Sequence, residues 1–221
     1  MDYEKSFKNW YAEEVEKAFG IRRTWESEAL DRWLSAELDI PEDDAKELSE
    51  LSRTARFRID AWNEAALKFL LIAPLVRLVD FTSSASYAPF LEQTLTIENG
   101  TNVARGNIDF MVATGRRYPE APFYLLHEYK PESSTVLDPQ GQLIIAMLAA
   151  QRANQGVASD HPVYGSYVLG RLWFMVIMEG ETYTISEGFD STKEEGIRAI
   201  YRALAVVKRT VEVIVEARLS S

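Results

Sequence analysis

Three charged residues punctuate one of the most apolar parts of this chain. In the segment Asn107–Lys130, NIDFMVATGRRYPEAPFYLLHEYK, two β-branched and aromatic runs, Ile108–Ala113 and Phe123–Leu126, flank a turn rich in Gly, Arg and Pro. That is the pattern of a hairpin whose loop exceeds two residues. Asp109 interrupts the first run, while Glu128 and Lys130 follow the second. If the hairpin is centred between Tyr118 and Pro119, Asp109 and Glu128 face each other across the ladder, with Cβ atoms about 5 Å apart. Strand alternation places Glu128 and Lys130 on one face and Tyr129 on the other. Two carboxylates held so close raise one another's pKa unless a cation compensates. Lys130 supplies one positive charge and a divalent ion would supply more. Hard carboxylate oxygens suit Mg²⁺ or Mn²⁺, which complete their shells with water and phosphate oxygens. The plainer reading of the same residues is a surface ion pair of small energetic weight.

Asp109, followed by Glu128-Tyr129-Lys130 at the end of the next strand, resembles the PD-(D/E)XK nuclease superfamily, although Ile108 stands where the proline of that motif is usual. The resemblance spans about Asp60 to Tyr167. It implies a restriction-endonuclease-like α/β core and a Mg²⁺- or Mn²⁺-dependent nuclease that hydrolyses phosphodiester bonds in nucleic acid, with DNA favoured over RNA. Asp109 and Glu128 would then hold the metal, with Glu64 assisting from the preceding helix, in the phrase NEAALKFLLIAPLV. Lys130 would orient or help deprotonate the attacking water and offset charge in the transition state. Gln142, after the ExK strand, would be a positioning residue, with Gln140 as the other option; the fuller Gln-x-x-x-Tyr form is not met, because position 146 is alanine. The competing reading is a catalytically silent nuclease-like domain that serves as a nucleic-acid-binding or oligomeric assembly subunit. A plain structural oligomer is the third.

Composition narrows the alternatives. The 221 residues are 47% hydrophobic and 26% charged, an ordinary globular balance. Cysteine is absent, which excludes disulfides, thiolate metal sites and a cysteine nucleophile. His127 and His161 are the only histidines, too few for a histidine-based zinc centre, and both read as structural. No apolar run is long enough to span a bilayer, and the opening MDYEKSFKNW does not read as a signal peptide. The expectation is a soluble, cytoplasmic protein with no membrane partner. A net charge of −10 argues against wrapping nucleic acid on a broad basic surface. A local strip remains open, from Arg53, Arg56 and Arg58 or from Arg105, Arg116 and Arg117.

The elements that must position these groups follow from periodicity. Tyr3–Phe19 reads as an amphipathic helix stopped by Gly20, Thr24–Leu38 as a second, and Pro41 opens a third with acids in its first turn. Four of the five tryptophans, at 10, 25, 33 and 62, suggest that this part packs on the core or forms a homodimer surface. Asp60 is the expected cap of a helix whose buried side is Trp62, Ala65, Ala66, Phe69 and Leu70; Glu64 and Lys68 form an i,i+4 pair, and Pro74 interrupts or kinks it. A serine-rich connection at Thr82–Ser86 leads to a strand at Leu91–Glu98, an Asn99-Gly100 turn and the strand Val103–Ala113. Asp138-Pro139 starts a helix closed by Gly156, three strands follow between His161 and Ser186, and a capping box at Ser191–Glu194 opens the last helix. The predicted organisation is a helical extension over 1–58 packed on an α/β core over 59–221.

Overall fold

The computed structural model describes residues 3–82, 86–100, 102–132, 138–158 and 160–220. Eight strands form one mixed sheet: β1 (Tyr3–Ser6), β2 (Arg22–Thr24), β3 (Ala88–Asn99), β4 (Asn102–Thr114), β5 (Glu120–Lys130), β6 (Val163–Leu169), β7 (Leu172–Glu179) and β8 (Thr182–Asp190). Their order is β1-β4-β5-β6-β7-β8-β2, with β3 paired to the other edge of β4. Helices α1 (Ala12–Phe19) and α6 (Pro139–Ala153) cover one face. The other face packs against α2 (Glu28–Ser35), α3 (Glu42–Arg58), α4 (Glu64–Leu67), α5 (Ala73–Val79) and α7 (Glu194–Leu219). The fold is therefore α/β, an eight-stranded mixed sheet flanked by helices. No helix among the described residues is long and apolar enough to cross a membrane.

Burial on both faces explains the composition of β5. Every residue from Phe123 to Tyr129 is buried, as expected of a central strand with helices above and below. Its partner β6 runs parallel to it, and α6 makes the crossover. Helix α6 is buried on all sides from Leu143 to Ala150, since it lies between the sheet and α1. Its start is the predicted one. Asp138 accepts from Gln140 N at 3.1 Å through one carboxylate oxygen, and from Ala12 N at 3.2 Å through the other, so a single side chain serves the first turns of α6 and α1. Gly141 allows that approach: a Cβ there would lie 2.2 Å from the Trp10 carbonyl oxygen.

The first 58 residues are not a purely helical extension. They contribute β1 and β2, two parallel strands at opposite ends of the sheet path. The helix expected over Tyr3–Phe19 begins only at Ala12, and the one expected from Thr24 begins at Glu28, behind Ser27 as its cap. Strands of four and three residues are too short to show a period of two, and Phe7 and Trp10 fall on helix spacing because both reach the same core. The capping box expected at Ser191 is also absent: Lys193 is the N-cap without a side-chain bond, and Ser191 Oγ donates to the Arg171 carbonyl at 2.9 Å.

Between α4 and α5 the backbone widens into a π-helical turn, Lys68–Ile72. Pro74 accounts for it. Proline has no N–H, and its ring would strike the carbonyl four residues back in a regular helix. A five-residue ring, with Ala73 N–H on the Lys68 carbonyl, relieves that conflict. The extra residue rotates the side chains: Leu67, Leu71, Ile72 and Leu75 are buried, whereas Phe69 is 77% exposed. Of the five residues expected on the buried side only Trp62 is buried, and the cap is Asn63, which accepts from Ala66 N at 2.8 Å, rather than Asp60. Residues 83–85 of the expected serine-rich connection lie outside the described residues.

Candidate functional site

The β4–β5 ladder pairs Phe110 with His127, Met111 with Leu126 and Val112 with Leu125. Continued by one step, this register sets Asp109 opposite Glu128, as the sequence predicts. Toward the turn it shifts twice, at Val112/Ala113 and Ala113/Thr114. Pro122 contributes no N–H to the ladder there, and Thr114 Oγ1 lies within 2.9 Å of the Glu120 and Ala121 carbonyls. The irregularity is confined to the turn end, leaving the charged end in register.

At that end five elements converge: β3, β4, β5, α4 and the π turn that follows it. Asp109 Oδ2 accepts from Tyr129 N at 2.9 Å, and Asp109 Oδ1 accepts from Lys68 Nζ at 2.7 Å. Lys68 comes from the π turn, where it also meets Glu64 Oε1 at 2.9 Å and Glu92 Oε1 at 3.0 Å. Lys130 Nζ lies 2.6 Å from Glu128 Oε1 and 3.9 Å from Glu64 Oε2. The sequence-predicted group Glu64, Asp109, Glu128 and Lys130 is thus gathered in one cluster. Lys68 and Glu92 join it. The sequence reading reached Lys68 only as a helical partner of Glu64, and it missed Glu92 altogether. Strand pairing offered a signal for Glu92: counting back from Asn99 and forward from Asn102 brings Glu92 opposite Asp109.

Glu128 is the anomalous member. Its side chain is fully buried, and its Oε2 has no hydrogen-bond partner. Burial first, and the negative charge of Asp109 second, push its pKa up to about 8 against the pull of Lys130. Lys130 is held above its ordinary value: burial opposes this, but the charge of Glu128 and its hydrogen bond outweigh the burial. Lys68 behaves likewise, with burial outweighed by hydrogen bonds to Asp109 and Glu64. Both lysines are therefore ammonium groups. In this arrangement Lys130 is suited to stabilising negative charge and unsuited to taking a proton.

Gln142 is not brought to Lys130 or Glu128. Its Nε2 lies 3.4 Å from the Asn107 carbonyl of β4. Gln140 is engaged with Tyr183 instead. His127 faces away from the charges, as alternation requires. It stacks on Tyr129 with centroids 5.8 Å apart and bonds the Ser166 hydroxyl, and burial drives its pKa down to about 3, so it stays neutral. The arginines do not form one strip: Arg53, Arg56 and Arg58 lie on α3, Arg116 and Arg117 lie in the β4–β5 turn, and Arg105 lies on β4 near the cluster.

A groove of about 640 Å³ opens beside the cluster, lined by Lys68, Asp109 and Tyr129 and by apolar Phe69, Ile72, Val76, Phe81, Leu91 and Phe110. The two non-glycine residues with left-handed backbone among those described, Asp80 (φ 58°) and Glu92 (φ 51°), both line it. Such a conformation costs roughly 1–2 kcal/mol for an ordinary residue and tends to mark functional segments. At Glu92 the β3–β4 ladder skips its pairing with Asp109, and the side chain is free to reach Lys68.

Among the described residues no three carboxylates or imidazoles form a ready ligand cage, because the Lys68 and Lys130 ammonium groups lie between the acids. The donor chemistry nevertheless fits a hard divalent cation: the acids offer oxygen alone, and one oxygen of a fully buried carboxylate is unpartnered. No protein-family model matches the chain, and no curated protein matches it.

Proposed function

We propose that this protein is a metal-dependent phosphodiesterase, a nuclease of the PD-(D/E)XK type with a restriction-endonuclease-like sheet, acting on DNA. The observation that carries the reading is Glu128, a fully buried acid beside Asp109: protonated it can share its proton with Asp109, and once ionised its Oε2 has no donor among the described residues. Chains rarely retain such a group without use, since an unsatisfied buried polar atom costs about 1–3 kcal/mol. The charge count agrees: four carboxylates, Glu64, Glu92, Asp109 and Glu128, meet two ammonium groups, Lys68 and Lys130. With Glu128 ionised the deficit is two positive charges, which one Mg²⁺ or Mn²⁺ supplies.

Asp109 and Glu128 would hold the ion, with Glu64 beside them. When bound, the ion supplies Lewis-acid polarisation of the phosphate and a more acidic water. The remaining work falls to the chain. Tyr129 N–H fixes one oxygen of Asp109. Lys130 keeps its ammonium at the cluster, where it offsets negative charge developing on phosphate oxygens. Lys68 must release Asp109 for the acid to turn toward a cation. The test is a nuclease assay with Mn²⁺ on duplex DNA, single-stranded DNA and RNA. Activity in the wild type that is lost in both Asp109→Ala and Lys130→Ala supports the reading, and a wild type inert on every substrate overturns it.

One observation favours a second reading. Lys68 Nζ already satisfies Asp109, Glu64 and Glu92 within 3.0 Å. If that network is permanent, the domain is a catalytically silent relative that binds nucleic acid or assembles with copies of itself. Cation titration separates the two, because only the first predicts binding that depends on Asp109.

A further inference from the structure

A second feature lies along the same strand. β1 and β5 both pair with one edge of β4, β1 ending at Ser6–Arg105 and β5 beginning at Phe110–His127. Among the described residues, none pairs as a strand with residues 106–109 on that edge. Asp109 fills one end of this gap with its contact to Tyr129 N. At the other end is a pocket of about 690 Å³, lined by Ser6, Lys8, Thr94, Arg105, Asn107 and Gln142 around Gly106.

Its charge is unlike that of the rest of the chain. The protein carries a net charge of −10, yet among the described residues no carboxylate lines this pocket. Lys8 and Arg105 make no ion pair among the described residues, whereas Lys5, Lys68 and Lys130 nearby are all neutralised by acids. The neutral groups are donors as well. Thr94 Oγ1 bonds Asn107 Oδ1 at 2.7 Å, which fixes the amide and leaves its NH₂ without a partner among the described residues. The position of Lys8 is set by its neighbour: Phe7 is fully buried against Gly106, where a Cβ would lie 2.4 Å from Phe7 Cβ. Two cations and an amide that lack partners among the described residues, Arg105 and Asn107 on β4 and Lys8 in the 3-10 turn Phe7–Asn9 that follows β1, are the complement of a phosphate.

We propose that this pocket binds a phosphate of a nucleic-acid strand whose neighbouring phosphodiester lies at Asp109 and Glu128. Asn107 precedes Asp109 by two residues, about 7 Å along a strand, close to the spacing of consecutive phosphates. The identity of the ligand rests on the nuclease reading; the anion site rests on its own charges.

The test is fluorescence anisotropy with a labelled single-stranded DNA dodecamer, with Ca²⁺ replacing Mg²⁺, across a salt series. The probes are wild type and the double variant Lys8→Gln/Arg105→Gln, both sites being exposed and circular dichroism confirming the fold. Loss of the one phosphate that both side chains hold reduces the slope of log K against log salt by about 0.7, with affinity falling about tenfold or more at low salt. Unchanged affinity and slope in the double variant overturn the proposal, as does a wild type that fails to bind the dodecamer. Hydrolysis of bis(p-nitrophenyl) phosphate by wild type with Mn²⁺, lost in Asp109→Ala, tests the nuclease reading separately, since that diester has no flanking phosphate to fill the pocket.

Discussion

Asp109 Oδ2 accepts a 2.9 Å hydrogen bond from the backbone N–H of Tyr129, the residue between Glu128 and Lys130. One carboxylate of the cluster is therefore tied to the backbone that carries Glu128 and Lys130. Asp109→Ala leaves the Tyr129 N–H without its acceptor in a part-buried place, at an expected cost of about 1–3 kcal/mol. Asp109→Asn keeps an acceptor oxygen and should cost less than about half of that. Urea unfolding of the two variants checks the difference. Equal losses would show that the bond contributes little, and the asparagine variant then gives the cleaner probe of cation binding.

Glu128 makes stability fall with rising pH. Its carboxyl holds a proton up to about pH 8 in the folded chain, against 4.5 for an ordinary glutamate. Folding takes up that proton between the two values, so its contribution is full below about 4.5 and is lost as pH rises through about 8. Glu128→Gln removes the titration. Unfolding measured at pH 5 and pH 8 should show a decline for wild type that is much smaller in the variant. Parallel declines would place the responsible proton elsewhere.

The same proton couples to cation binding. Below about pH 8 a cation can engage Glu128 only when its proton leaves. Apparent Mn²⁺ affinity should rise by up to tenfold per pH unit between 6 and 8 and level off above, the limit for about one proton released. Calorimetry in two buffers of different ionisation enthalpy counts the protons. An affinity independent of pH would mean that the ion avoids Glu128.

Much of this site is legible in the sequence because it depends on strand register. A hairpin fixes which residues face one another, so the sequence register agrees with the pairs Phe110–His127 to Val112–Leu125 and sets Asp109 and Glu128 one step beyond them, although the turn itself is irregular. The apolar run through Phe123–Tyr129 also marks Glu128 as buried. What escapes is set by longer-range geometry. Lys68 reaches Asp109 only because Pro74 forces a π turn, and the same turn exposes Phe69, which helical spacing alone would bury. Gln142 is not at Lys130, because α6 is pinned by Asp138 and Gly141 and the amide meets the Asn107 carbonyl instead. β1 and β2 take their structure from the edges they join, and four or three residues cannot announce a strand by themselves.

Close backbone contact makes Gly141 a sensitive position away from the charges. Its added Cβ would meet the Trp10 carbonyl oxygen at 2.2 Å and the Ala12 nitrogen at 2.8 Å, both backbone atoms that cannot swing aside. Gly141→Ala would favour the helix by propensity, by roughly 1 kcal/mol. The clash should override that gain, giving a net loss of about 1–3 kcal/mol. Thermal unfolding reads the sign. A stabilised variant would mean that α1 can move off α6 at little cost.

Lys68 distinguishes the two functional readings. Its ammonium compensates Asp109, Glu64 and Glu92 at 2.7, 2.9 and 3.0 Å. Lys68→Met keeps the side-chain length and removes the charge. Without a divalent cation, carboxylates left facing one another should destabilise the fold by about 2 kcal/mol, between the values for exposed and buried pairs. If the cluster is built for a cation, Mn²⁺ should then restore the lost stability and bind Lys68→Met more tightly than wild type, because the ammonium no longer competes for Asp109. If the network is a permanent structural pair, the variant is weakened and Mn²⁺ restores nothing. Thermal unfolding of wild type and Lys68→Met with and without Mn²⁺ at pH 8, where about half of Glu128 is ionised, decides between them.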